Sequence, residues 1–434
     1  MKSSRSSMTD KGHDVGVDTD LSGPGRRRFV QVGIASVVVG IAGYIVLLLA
    51  APTLGPEEYA LFAVFWSLLY FITGTIFGVQ QEITRSVRSA QSDMGNRLSG
   101  AKVAQVAFVA CGAVAVVVAA SSLLWAPALF GSEWENIATC VIVGTVLYSG
   151  FALLAGALSG TNSWGRYSFL ITSDAVVRLA LFVIVLASGA SFVGLAIATV
   201  AAFAVWIPAI LFSRRCRSAM SARGDAPLRR AVLRTGSSVL ATASTAALVT
   251  GFPAMIKAVV ADAPTAELGV VILVITLTRA PILMPITAYL GIAVTTFLEQ
   301  RHRGIRVLFK PALGLAALGG VGVALSAAIG PWLIVTMFGE EFYADPWLLA
   351  LSTLAATLIG LLSLTGAAAL AFSQHRLYVL GWAASAITAF GLLFIEIGLS
   401  ERVLLAMLLA PLPGLLIHIW ALVQTPLSPN PDKN

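Results

Sequence analysis

The chain is poor in charge. Only 11% of its 434 residues are Asp, Glu, Lys or Arg, while 58% are hydrophobic. A soluble domain averages about 25% charged and about 45–50% apolar. Mean hydropathy is +0.88. These values exclude an ordinary soluble globule and describe a polytopic membrane protein. Cysteine is scarce too. Cys111, Cys140 and Cys216 lie far apart, so no disulfide framework is implied. The four histidines (His13, His302, His375, His418) show no metal-ligand spacing. There is no P-loop and no Gly-rich dinucleotide fingerprint. Nothing therefore points to a cofactor, and an ATP-driven pump gains no support from this chain.

What is present is a series of apolar runs about 20 residues long, enough to cross a bilayer as helices. Twelve are predicted, over residues 29–51, 59–81, 103–124, 137–158, 167–188, 192–212, 237–260, 269–297, 306–329, 347–372, 377–397 and 402–423. Backbone in lipid must satisfy its own hydrogen bonds, so an all-helical bundle follows. The loops alternate in charge. Arg85, Arg88, Arg97 and Lys102 fill one, and Arg301, Arg303 and Arg306 another. The intervening PTLGPEEY, WAPALFGSEWEN and GPWLIVTMFGEEFYADP carry acids and no base. Arg402 is the main exception. This bias orients both termini to the cytoplasm. Trp125, Trp134, Trp332 and Trp347 then mark the outer interface, and Trp164, Trp206 and Trp420 the inner one. Arg26, Arg27, Arg28 and Phe29 resemble a twin-arginine signal. The apolar run behind them is too long for one, and further spans follow, so they read as a cytoplasmic anchor.

The predicted organisation is a disordered cytoplasmic N-terminus (1–28), an N-lobe (29–212), a basic linker (213–236), a C-lobe (237–423) and a cytoplasmic tail (424–434). The linker holds seven arginines, from Arg214 to Arg234. It lacks interleaved aromatics and is expected to be basic on topological grounds, so no nucleic-acid partner is inferred. The lobes look duplicated. Leu129-Phe130-Gly131-Ser132-Glu133-Trp134 is echoed by Met337-Phe338-Gly339-Glu340-Glu341-Phe342, each after an equivalent span. Six spans per lobe is an even number, which makes the repeat parallel, with a pseudo-two-fold along the membrane normal. The cleft between two such lobes can open to either side.

Several charges lie within or beside the spans. Asp174 and Arg178 are four residues apart in the fifth span and share a helix face. At ~1.5 Å per residue Arg178 is about 16 Å from either interface, too deep to snorkel easily. It should face a wet cavity or a protein interior. Two readings stand: the pair lines a cavity, or it only locks helices together. Arg279, in the eighth span, is the deep cation of the other lobe. One guanidinium per lobe suits an anionic headgroup, because guanidinium grips phosphate bidentately. Lys257 lies near the outer end of the seventh span, where it can either line the substrate cavity with the two arginines or snorkel to the interface. At the inner mouth Gln81, Glu82 and Arg85 close the second span, with Glu82 and Arg85 spaced to pair. Pro253, Pro281 and Pro285 are candidate gating bends. Gly74/Gly78 and Gly156/Gly160 are GxxxG pairs read as close-packing positions.

With these residues in place the chain resembles the polysaccharide-biosynthesis flippases of the multidrug/oligosaccharidyl-lipid/polysaccharide (MOP) superfamily. The likeness rests on LGPEEYALFAV (54–64), GVQQEITRSV (78–87), ALSGTNSWGRYS (157–168), LTRAPILMPI (277–286) and FGEEFYADPWLLALS (338–352). It implies twelve helices in two six-helix lobes and alternating access in a bacterial cytoplasmic (inner) membrane. It implies an undecaprenyl-diphosphate-linked sugar repeat unit as substrate, and polymerase and glycosyltransferases as functional partners. It also implies a cationic cavity, which Arg178 and Arg279 would supply. A cation-coupled drug exporter of the same superfamily is one alternative. A membrane glycosyltransferase or polymerase is another, with its acids in the external loops.

Overall fold

A computed structural model describes residues 24–92, 100–189, 191–260 and 264–424. The polar N-terminus before Pro24, Arg97 and the tail beyond Gln424 lie outside them. Nine helical stretches among the described residues are long and apolar enough to span a membrane. Two of them, Val38–Ser92 and Val103–Gly160, hold two crossings each. The eleventh predicted crossing, now His375–Leu392, begins with His375 and Arg376, which lower its hydropathy. Twelve crossings result, and no strand forms among the described residues beyond an isolated bridge between Lys102 and Arg223.

The first two crossings form α1 (Pro24–Ser92), interrupted only at Gly55 (φ 71°, ψ 170°). That positive φ is one glycine adopts without Cβ strain, and it turns the chain back at the acidic end. Then come α2 (Val103–Phe130), α3 (Trp134–Gly160) and α4 (Trp164–Ala187). The sixth crossing is broken. α5 (Phe192–Ala202) passes through a 3-10 turn into α6 (Trp206–Phe212). The segment read as linker is mostly helical. It contains α7 (Arg214–Met220), and α8 (Leu228–Val249) already includes Arg229, Arg230 and Arg234. The seventh crossing breaks before Pro253 and resumes as α9 (Phe252–Val259).

In contrast, α10 (Thr265–Glu299) runs unbroken through Pro281 and Pro285. The bends expected there do not interrupt the helix. The remaining helices are α11 (Phe309–Phe338), α12 (Pro346–Ala371), α13 (His375–Leu392), α14 (Leu399–Leu409) and α15 (Pro411–Gln424).

The duplication is visible in the backbone. α2 and α11 both end on Phe followed by a glycine at positive φ, Gly131 (53°) and Gly339 (99°). A short 3-10 turn follows each, at Gly131–Glu133 and Glu340–Phe342. α3 and α12 are both followed by a non-glycine residue at positive φ, Asn162 (56°) and Ser373 (62°). These caps recur in the order the sequence echo requires.

The lobes meet along the second half of α1. Gly74 and Gly78 lie against α8: a Cβ on Gly74 would sit 2.8 Å from the Ala246 Cβ, and one on Gly78 2.6 Å from the Ser238 carbonyl oxygen. The GxxxG reading holds, and this pair seals the seam between lobes. Gly156 and Gly160 let α3 approach α1 within the N-lobe, beside Ile83 and Val87. At the acidic end Tyr59 packs edge-on to Phe342, with ring centroids 6.0 Å apart, and Gly269 sits against the Pro56 backbone.

Candidate functional site

The interlobe seam has its chemistry at the break between α8 and α9. A helical carbonyl expects the N–H four residues on. The carbonyl of Val249 would need the N–H of residue 253, and that residue is proline, which has none. Arg279 supplies the missing donor: its Nη1 donates to the Val249 carbonyl at 3.1 Å. The next rung, Thr250 to Ala254, is also open, and Ser67 of α1 fills it. The Ser67 hydroxyl donates to the Thr250 carbonyl at 2.6 Å and accepts from the Ala254 N–H at 3.1 Å. A side chain from the N-lobe thus completes a backbone rung in the C-lobe.

Arg279 is 5% exposed. Its guanidinium lies 5.5 Å from the Phe252 ring centroid, and Tyr44 of α1 is within electrostatic reach. Its Nε and Nη2 have no hydrogen-bond partner among the described residues. No salt bridge to Arg279 forms among the described residues. A buried guanidinium with two nitrogens unpartnered among the described residues has donors to offer an anionic group.

Arg178 is placed differently. It is bonded to Asp174 on the same α4 face. Three aromatic rings surround its guanidinium, Phe203 at 5.1 Å, Tyr70 at 5.5 Å and Trp66 at 5.9 Å. Both members of the pair are 6% exposed. The two cations have different partners among the described residues: Arg178 lies among the N-lobe rings Trp66, Tyr70 and Phe203, and Arg279 against the α8–α9 break at the seam. Lys257, on α9, is buried as well.

The Glu82–Arg85 pair forms, with Nε to Oε2 at 2.8 Å and Nη2 to Oε1 at 2.6 Å. Gln81 points outward, whereas its neighbour Gln80 is buried. Sequence reasoning missed the partner from across the chain. Arg85 also holds Asp225, Nη1 to Oδ2 at 3.0 Å, and Arg234 reaches the same Oδ2 at 3.3 Å. The bond to Glu82, then the contacts to Asp225, raise the Arg85 pKa above its ordinary value. Partial burial pushes the Asp225 carboxyl up, but the Arg85 bond and charge outweigh it and hold the pKa below the usual range. Asp225 is the acid within an otherwise basic stretch, the signal that could have found it. Behind the cluster the chain is pinned by backbone bonds from Ala101 N to Ala226 O (2.9 Å) and Gly224 N to Ala101 O (2.9 Å).

No protein-family model matches the chain. Two uncharacterized proteins of Mycobacterium tuberculosis (strain ATCC 25618 / H37Rv) do match it along nearly their whole length. Rv3630 is 37% identical over 402 residues, 91% of this chain and 92% of its own. Rv1510 is 37% identical over 419 residues, 95% and 96% respectively.

The chain belongs to their family.

The family's fold is that of the MOP superfamily. An inward-facing multidrug-resistance MATE transporter superimposes with a TM-score of 0.66 at 16% identity, covering 92% of this chain and 99% of that one. An outward-facing conformation gives 0.61 at 15% identity, covering 94% and 98%. A MOP-superfamily transporter of Pyrococcus furiosus Vc1, described as having a binding pocket of reverse polarity, gives 0.52 at 16% identity, covering 93% and 98%. The chain is thus a twelve-helix, two-lobed multi-pass membrane protein of the MOP fold. At these identities the solved structures establish the fold alone.

Proposed function

We propose that this protein is a membrane transporter that moves an anionic, lipid-linked saccharide by alternating access of its two lobes. The substrate would be an undecaprenyl-diphosphate-linked repeat unit, carried from the inner to the outer leaflet of a bacterial cytoplasmic membrane. The basic end, with both termini, would face the cytoplasm. Polymerase and glycosyltransferases would supply and consume the substrate.

The observation that carries this reading is Arg279. It is a deep, uncompensated guanidinium at the seam that must part for substrate to pass. Two of its nitrogens have no hydrogen-bond partner among the described residues. A diphosphate at that depth needs a fixed cation to replace its water. Arg178, already paired with Asp174, would be a secondary contact. Lys257 could contribute from the outer end of α9. Opening the seam would have to release Ser67 from the α8–α9 break, which gives Pro253 a gating role; Pro281 and Pro285 would act through α10.

The rival reading is a cation-coupled exporter, suggested by the multidrug-resistance transporters that share the fold. Such an exporter needs an available carboxylate in its cavity, and Asp174 is engaged by Arg178. The discriminating experiment deletes the gene and profiles lipid-linked sugars by mass spectrometry. Accumulation of a polyprenyl-diphosphate saccharide, reversed by the wild type but not by Arg279→Ala, supports the proposal. An unchanged lipid-linked pool together with sensitivity to organic cations overturns it.

A further inference from the structure

The anion-transport reading gives Arg178 a secondary contact but leaves the Asp174 carboxylate beside it without a role. A buried carboxylate whose bound guanidinium lies against three aromatic rings marks a place where a desolvated monovalent cation is held. Trp66, Tyr70 and Phe203 come from α1 and the turn between α5 and α6, and Asp174 from α4. Tyr148 of α3 lies within electrostatic reach of the carboxylate. In this protein the cation is a residue of the chain. Among the described residues Arg178 is the only cation paired with Asp174. The fit is incomplete: Asp174 Oδ1 and Arg178 Nε are buried with no hydrogen-bond partner among the described residues.

We propose that Arg178 is a tethered counter-cation that occupies, from four residues along the same helix, the place a free cation would take on Asp174. A tethered group competes at high effective concentration and excludes dilute rivals. The consequence is specific: the N-lobe takes no sodium or small organic cation at Asp174, and transport draws no energy from a cation bound there. Removing the guanidinium uncovers a site for guanidinium-class cations, lined by the same rings and the same carboxylate. This inference does not depend on Arg279 or on the nature of the transported molecule.

The test uses the full chain in lipid nanodiscs. Thermal unfolding is followed while sodium or guanidinium, at millimolar levels, replaces N-methylglucamine at constant ionic strength. Wild-type Tm should be indifferent to both. Arg178→Ala should unfold at lower temperature and recover by several degrees with guanidinium. In the Asp174→Asn, Arg178→Ala double variant that recovery should weaken about tenfold or more in guanidinium concentration, the loss expected for one charge-assisted bond. If Arg178→Ala yields no folded protein, guanidinium present throughout purification should restore it. The proposal is overturned if neither the folded variant nor its purification responds to guanidinium. It is also overturned if wild-type protein is stabilised by sodium or guanidinium and Asp174→Asn abolishes the effect.

Discussion

The Nη1 of Arg279 donates to the carbonyl of Val249, the carbonyl that Pro253 leaves without its helical partner. One residue thereby has two tasks: it completes the broken seventh crossing and it carries an uncompensated charge at the seam. Replacing it separates them. Arg279→Lys keeps the charge and loses the planar fork, and should retain part of the transport. Arg279→Ala loses both. A charge-assisted bond contributes about 1.5–3 kcal/mol, so substrate affinity should fall about 10- to 100-fold. Titration of each variant with the lipid-linked saccharide reads the difference directly.

Ser67 makes a second claim on the same break. Its hydroxyl donates to Thr250 and accepts from Ala254 across the lobe boundary. Ser67→Ala leaves one buried carbonyl and one buried N–H unpaired, which should cost about 1–3 kcal/mol. A lower Tm in nanodiscs checks this. Ser67→Cys, with its weak S–H, should fall between wild type and alanine.

Gly78 faces Ser238 and Thr242 with no room for a methyl group, since a Cβ would sit 2.6 Å from the Ser238 carbonyl oxygen. Gly78→Ala should therefore hold the seam apart and favour a conformer with separated lobes. Distances between spin labels on α1 and α8 should lengthen in the variant. An unchanged distance distribution would show that the seam adapts.

Twelve crossings and the duplicated lobes were legible because runs of about 20 apolar residues have one solution in lipid. The positions of the breaks were not. Pro253, Pro208 and Pro411 each lie at or just beyond an interruption, while Pro281, Pro285, Pro127 and Pro331 lie inside continuous helices. Proline removes one N–H in either case. At Pro253 the orphaned groups find donors and acceptors on other helices, Arg279 and Ser67, which no local pattern encodes. The Asp174–Arg178 pair followed from i,i+4 spacing. Its aromatic surround did not, because Trp66, Tyr70 and Phe203 come from distant crossings. The partners of the two deep arginines were not legible either: Arg178 is held by Asp174 and Arg279 by the Val249 carbonyl, and depth alone does not assign such partners.

At the basic end Asp225 joins Arg85 and Arg234. Its carboxyl pKa is lower in the folded chain than the ordinary value, so its contribution is complete above about pH 4. The contribution is lost as pH falls further, through the depressed value. The raised Arg85 pKa keeps that side charged across the whole working range. The pairs are partly exposed, so they should contribute about 0–1 kcal/mol and weaken with salt. Asp225→Asn should reverse the local salt response of Tm at neutral pH, because salt then screens the repulsion between Arg85 and Arg234 instead of their attraction to the carboxylate. Unfolding scans across salt and pH test both points.

The most direct measurement of the central claim is binding of a polyprenyl-diphosphate saccharide to purified protein in nanodiscs, comparing wild type, Arg279→Ala and Arg178→Ala. The anion-receptor account requires saturable binding that Arg279→Ala loses and that inorganic diphosphate competes for, with a smaller effect at Arg178. Equal binding by wild type and Arg279→Ala, or no competition by diphosphate, would contradict it.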